Sequence, residues 1–186
     1  MTREDHHALL RGAIAAPGGT WADLGSGTGV FTAALAEALG PGAVIYSVDT
    51  DARALQEQER MMRERFPGVR LHTRLADFNR PLAFPIMDGV LMANSLHFQD
   101  DPCASLARAA LLLAPGGRVV IVEYDVKKAS PWVPSPIPWE HLASVAACAG
   151  LSGTRLLDIR PSRYHGTVYS AVSEKAAHGP RSATGT

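Results

Sequence analysis

The sequence predicts an α/β protein with a parallel central sheet and a terminal antiparallel hairpin. Short apolar runs alternate with helix-period segments through about residue 150, which requires parallel crossovers. Four of these runs end in polar residues (Asp23, Asp49, Asp77 and Asn94), which lie together at the carboxyl edge of one sheet, where open α/β folds bind ligands. The last two runs, 155–160 and 167–172, are too close to hold a helix between them, so they are antiparallel neighbours.

Each element has its own signal. Residues 3–16 read as a helix, with Leu9, Leu10, Ala13 and Ile14 on one face and Pro17-Gly-Gly19 as the stop. A strand at 20–25 leads to a helix at 28–39 that turns Phe31, Leu35 and Leu39 inward and ends at Gly40-Pro-Gly42. A strand at 43–49 precedes an Arg- and Glu-laced helix at 51–66, closed by Pro67-Gly68. Alternation marks 69–76 as a strand, and 87–94 is the next. Pro102 falls in the first turn of a helix at 102–113. Ala114-Pro-Gly-Gly117 is a turn into the most apolar strand, 117–124. A proline-rich connection over 130–138 leads to a helix at 139–149.

Length and composition bound the rest. The 186 residues suit one domain, 1–173, followed by a polar, small-residue tail at 174–186 that reads as disordered. Eighteen basic residues balance eighteen acidic ones, which argues against a nucleic-acid partner recruited by net charge. No apolar run approaches the roughly 18 residues that a membrane span needs, and the polar amino end lacks a signal-peptide core. Cys103 and Cys148 have no metal-like spacing and read as reduced, small core residues, so the expected compartment is the cytoplasm.

The chemistry gathers at Asp23-Leu-Gly-Ser-Gly-Thr-Gly29, a strand-to-helix turn. Its glycines let backbone approach a ligand with no Cβ in the way, and the following helix aims free N–H groups at an anionic part of it. Asp49, at the tip of the next strand, is placed to accept both hydroxyl hydrogens of a ribose. The spacing is Gly-x-Gly-x-Gly, with Val30 where a dinucleotide fingerprint has its third glycine. Bland readings stand beside these: Asp23 or Asp49 as helix caps, Asp77 as a turn residue before Asn79, and Phe78 as core.

Together with Ala76-Asp77-Phe78, Asn94-Ser-Leu-His97 and the Leu112–Glu123 segment, this series resembles the class I S-adenosylmethionine-dependent methyltransferases. It looks most like their small-molecule branch, which includes the ubiquinone/menaquinone C-methyltransferases. The resemblance implies a Rossmann-like seven-stranded sheet of order 3-2-1-4-5-7-6, with strand 7 antiparallel and helices on both faces. It also implies S-adenosylmethionine as cofactor and a small-molecule acceptor methylated at O, N or activated C. Asp23, Gly25 and Gly27 would hold the amino-acid end, Asp49 the ribose, Thr50, Asp77 and Phe78 the adenine. Asn94 would offer its backbone carbonyl near the ammonium and sulfonium. A macromolecular acceptor or a non-catalytic binding module are the alternatives.

A sulfonium methyl is already activated, so alignment is the main task and a base is needed only where the acceptor must lose a proton. His97, three residues past the fourth strand, is the candidate base, with a purely positional role as the alternative. Glu123, Tyr124 and Asp125 end the fifth strand, where one of them could face the acceptor, although an acid there is more often in solvent. His141 and His165 are weaker candidates, and Trp132 and Trp139 either wall the acceptor site or pack on the sheet edge. Asn94 stands where related magnesium enzymes place an acid, and His6-His7 is isolated, so no metal is expected. Only 22 residues precede Asp23, so the acceptor site is expected to be open or completed by a second subunit, as in a homodimer.

Overall fold

The structure is a computed structural model, and it describes residues 1–162 and 166–177. In chain order its elements are α1 (Arg3–Leu10), β1 (Thr20–Leu24), α2 (Val30–Leu39), β2 (Val44–Asp49), α3 (Ala52–Arg65), β3 (Arg70–Leu75) and β4 (Met87–Ala93). A 3-10 turn (Leu96–Phe98) follows, then α4 (Pro102–Leu111), β5 (Leu113–Tyr124), α5 (Trp139–Cys148), β6 (Leu151–Pro161) and β7 (Thr167–Lys175). The seven strands form one sheet in the order β3-β2-β1-β4-β5-β7-β6. β7 runs antiparallel to both its neighbours, and the other pairings are parallel.

Alternating side chains on the central strands feed two cores. Ala22, Leu24, Val90, Met92, Val119 and Ile121 meet α4 and α5 on one face. Trp21, Leu91, Ala93, Val120 and Val122 meet α1, α2 and α3 on the other. Near-continuous apolar strands are what a parallel sheet covered on both sides requires.

Several boundaries differ from the sequence expectation. α1 ends at Leu10 rather than residue 16, because Arg11 turns extended and Gly12 takes φ 76°. Ala13 is buried all the same, so the apolar spacing continues without a helix. Register shifts between Met87↔Leu113 and Gly89↔Arg118, so the 114–117 turn sits within the span of β5. β6 begins four residues early, at Leu151, and β7 continues to Lys175, two residues into the expected tail. Residues 178–186 of that tail, and His165, lie outside the described residues.

The cysteine expectation is overturned. Cys103 and Cys148 form a disulfide between the first turn of α4 and the last turn of α5, with Cα atoms 5.9 Å apart. Cys148 is exposed and Cys103 half-buried, so neither is a core residue. No helix of the described residues is long and apolar enough to cross a membrane.

Candidate active site

The carboxyl ends of β1, β2, β3 and β4 open onto a cleft of about 330 Å³. Gly25, Asp49, Thr50, Asp77, Phe78 and Asn94, six of the expected cofactor residues, line it, with Ser95, Phe98 and Gln99 beside them. A cleft this size is at the small end of ligand sites.

The glycine turn is pinned from below: the N–H groups of Gly25 and Ser26 donate to the Val48 carbonyl at 2.8 and 3.1 Å. At Gly25, with φ 79°, a Cβ would come within 2.5 Å of Ser95 Cβ. At Gly29, with φ 85°, it would come within 2.4 Å of Gln58 Cγ. Glycine is required at both, by conformation and by close approach. The Gly27 N–H donates to Asp49 Oδ2 at 2.7 Å, and Asp49 Oδ1 accepts from the Asp51 N–H at 2.9 Å. Asp49 is therefore not the cap of α3; Asp51 is, accepting from Arg53 and Ala54. Each Asp49 oxygen keeps further acceptor capacity for a ligand hydroxyl.

Asp23 lies beneath the turn and is 1% exposed, and the cap position of α2 belongs to Gly29. Thr32 Oγ1 donates to Asp23 Oδ2 at 2.5 Å, while Oδ1 has no partner. Burial pushes the Asp23 carboxyl up from 3.8 to about 7, against the pull of the Thr32 hydroxyl and with a push from Asp49. Asn94 is the one non-glycine among the described residues with positive φ, 52°, and its Oδ1 is likewise buried and unpartnered. The left-handed Asn94, with an orphaned oxygen at the cleft, carries the marks of a ligand site, whereas Asp23 and Gly27 do not line the cleft. The Asn94 oxygen is an acceptor, so its missing partner is a donor, and a cation suits the ionised form of Asp23.

Asp77 sits both at the cleft and in a turn. It lines the cleft, and its Oδ1 accepts from the Asn79 N–H at 2.8 Å as a turn residue does. Phe78 packs against the core and lines the cleft. Asn79 ties the wall together: its Nδ2 donates to Gln99 Oε1 at 2.5 Å, and its Oδ1 accepts from Ser105 Oγ at 2.7 Å.

His97 is 1% exposed and stands behind the cleft wall rather than lining it. Its Nδ1 is 2.5 Å from Glu123 Oε2. Glu123 is fully buried, which corrects the expectation of a solvated strand-end acid. His141 is exposed, as a surface-helix residue should be. Trp139 packs on Tyr169 at 5.8 Å, whereas Trp132 is 73% exposed. The Tyr169 hydroxyl, whose pKa burial raises, donates to the Ile137 carbonyl at 2.8 Å and so holds the proline-rich loop. No metal-holding group of acids, histidines or cysteines occurs among the described residues.

Sequence reasoning missed the buried polar supports. Gln58, fully buried on α3, donates to Thr32 Oγ1 at 2.5 Å and to Ser47 Oγ at 2.7 Å. Ser95 Oγ donates to the Leu24 carbonyl at 2.7 Å. The one available signal for Gln58 is its place on the apolar side of an otherwise charged helix, at i+3 and i+4 from Leu55 and Ala54.

A family model described as a methyltransferase domain matches residues 22–119, more than half of the chain. Among curated relatives, a 37.1 kDa protein of a Streptomyces fradiae transposon is 34% identical over 118 residues, 63% of this chain and 33% of that protein. The ubiquinone/menaquinone biosynthesis C-methyltransferase of Burkholderia mallei is 33% identical over 113 residues, 59% of this chain and 44% of the relative. The aligned regions thus span less than half the length of these relatives. Among solved structures, the 1,6-didemethyltoxoflavin-N1-methyltransferase of Burkholderia thailandensis superposes with TM-score 0.72 at 21% identity, covering 94% of this chain and 78% of that one. A SAM-dependent methyltransferase from Aquifex aeolicus gives 0.71 at 15% identity, covering 91% and 89%. These structures share the fold, and the family match places the cleft in a known context: the chain belongs to the methyltransferase domain family, in its class I, S-adenosylmethionine-dependent form.

Proposed function

We propose that the chain binds S-adenosylmethionine in this cleft and transfers its methyl group to a small-molecule acceptor at oxygen, nitrogen or activated carbon. The observation that carries this is one cleft lined by Gly25 of the glycine turn, by Asp49 and by Asn94, whose Oδ1 is orphaned, with the orphaned Asp23 Oδ1 buried beneath the turn. When bound, the cofactor supplies a methyl already activated on sulfonium. Asp49 accepts from the ribose hydroxyls, and Gly25 and Gly27 let backbone close on the amino-acid end. Asp23 faces the ammonium, which offsets the penalty of its buried charge. Thr50, Asp77 and Phe78 border the adenine, with Asp77 accepting from its amino group. The Asn94 carbonyl faces the cationic centre.

The ubiquinone/menaquinone biosynthesis C-methyltransferase of Burkholderia mallei, 33% identical over 113 residues, supports a small-molecule acceptor. One observation favours a macromolecule instead: Arg53, Arg60, Arg63, Arg65, Arg70, Arg74 and Arg80 are all exposed. Methyl-labelled cofactor incubated with the protein and a cell extract separates the readings. Label is expected in the low-mass fraction. Label in protein or RNA overturns the small-molecule assignment, and no transfer at all overturns catalysis.

A further inference from the structure

A chain of buried polar side chains runs beneath the glycine turn. Asp23 and Ser47 are register partners on β1 and β2, so both face the side of the sheet that α2 and α3 cover. Thr32, Ser47 and Gln58 are fully buried, and a Cβ on Gly29 would strike Gln58 Cγ, so the amide is packed directly against the turn. Gln58 Nε2 donates to Thr32 Oγ1 at 2.5 Å and to Ser47 Oγ at 2.7 Å, and its Oε1 accepts from Ser26 Oγ at 3.4 Å. Thr32 has one hydroxyl hydrogen, and with Gln58 donating to its oxygen that hydrogen goes to Asp23 Oδ2. Oδ2 is thereby fixed as an acceptor. Any proton that the buried carboxyl retains is left to Oδ1, the atom without a partner.

Few charges bear on this carboxyl. Asp49, at the end of β2, pushes it toward the protonated form. On the other elements around it, Glu37 of α2 is paired with Arg3 and His7, and Glu59 of α3 accepts from Thr73. The remaining charges of α3 are exposed, and Asp88 lies near the start of β4, bonded to the Thr20 N–H.

We propose that Gln58 is a positioning residue for cofactor binding: it locks the Thr32 hydroxyl onto Asp23 Oδ2, so the proton of the cofactor-free protein sits on Oδ1 and leaves for solvent as a cationic ammonium enters above the turn. This rests on the methyltransferase reading above and adds a proton exchange to it. A cation favours the ionised carboxyl, whereas burial and Asp49 favour the protonated one, so binding releases a proton below about pH 7 and not well above it. Without the amide, the Thr32 hydroxyl is free to turn and accept from a protonated Oδ2. That stabilises the protonated form and moves the release to higher pH.

Gln58→Met keeps the length of the side chain and deletes the amide. Calorimetry with S-adenosylhomocysteine, in two buffers of different ionisation enthalpy, counts the proton. The wild type is expected to release roughly one proton per ligand at pH 6 and almost none at pH 8. Gln58→Met is expected to bind about threefold more weakly than wild type at pH 6 and nearly equally at pH 8. A purely structural loosening of the turn weakens binding by the same factor at both pH values, and that result overturns the proposal. So does wild-type binding at pH 6 without proton release. 5′-Methylthioadenosine, which lacks the amino-acid arm, should bind with no proton released, and release equal to that of S-adenosylhomocysteine also overturns it. No binding by wild type at any pH strikes the cofactor reading instead. Carbon-13 NMR of the Asp23 carboxyl in the cofactor-free proteins, assigned with Asp23→Asn, then decides the role of Gln58. Titration at higher pH in Gln58→Met supports it, and equal titration overturns it. If Gln58→Met does not fold, the proton count of the wild type decides alone.

Discussion

Replacing Asp23 by Asn should make the ligand-free protein more stable and a poorer binder. Burial pushes the Asp23 carboxyl from 3.8 to about 7. A carboxyl with a raised native pKa contributes stability through its protonated form. That contribution is complete below 3.8 and is lost as the pH rises through about 7. Across that gap, at 1.36 kcal/mol per pH unit, the loss is about 4 kcal/mol. Asn carries no charge, so it escapes the loss. Its oxygen keeps the Thr32 hydrogen bond, and its amide takes the place of the unpartnered Oδ1. A buried amide without a partner costs about 1–3 kcal/mol, which leaves a net gain of about 1–3 kcal/mol above pH 7. For a chain of this size that is roughly 2–12 °C in Tm. Thermal melts followed by circular dichroism at pH 8 and pH 5 test it: the gain should be present at the higher pH and shrink at the lower. In the same variant, loss of the charged partner of the ammonium should weaken S-adenosylhomocysteine binding roughly 10–100-fold. A variant no more stable than wild type at pH 8, or a gain equal at both pH values, refutes this reasoning. So does unchanged affinity.

Gly25→Ala combines a left-handed residue with a Cβ 2.5 Å from Ser95 Cβ, and Ser95 cannot retreat without breaking its bond to Leu24. The loss should be on the order of 2–5 kcal/mol in urea unfolding. Asp49→Asn gives up one of the two N–H bonds that Asp49 accepts, so it should cost about 1–3 kcal/mol of stability and weaken S-adenosylhomocysteine about 100-fold or more by calorimetry, since two hydroxyl contacts to a charged group are impaired. Reduction of Cys103–Cys148, or Cys103→Ser, opens a 45-residue loop and should remove about 4 kcal/mol of stability on the chain-entropy account. Two free thiols without reductant, and no change in the urea midpoint on adding it, contradict that pairing.

The strand tips are readable in the sequence because a tip is local: each apolar run stops at a turn, and the first polar residue there falls on the sheet edge. Asp49, Asp77 and Asn94 are brought to one cleft by that rule alone. The helix ends are less readable. Leu9, Leu10 and Ala13 keep helical spacing past the point where Gly12 ends the helix, since burial constrains the position of Ala13 and not its dihedrals. Gln58, Ser95 and Glu123 are illegible as supports because a polar side chain looks the same in sequence whether it faces water or a buried partner. Its partner is set by tertiary contact 27 residues away for Glu123 and Leu96, and 71 for Ser95 and Leu24. The same holds for the cysteines. Their separation of 45 residues says nothing of the 5.9 Å between their Cα atoms, which the packing of α4 against α5 creates.

On the proposed function, the glycine turn, Asp49 and the orphaned Asp23 oxygen hold S-adenosylmethionine. Isothermal titration of the purified protein with S-adenosylhomocysteine tests it most directly, with NADH as the competing nucleotide. Saturable one-to-one binding is expected, weakened in Asp23→Asn and Asp49→Asn, with no heat from NADH. Absence of binding at millimolar S-adenosylhomocysteine would contradict it.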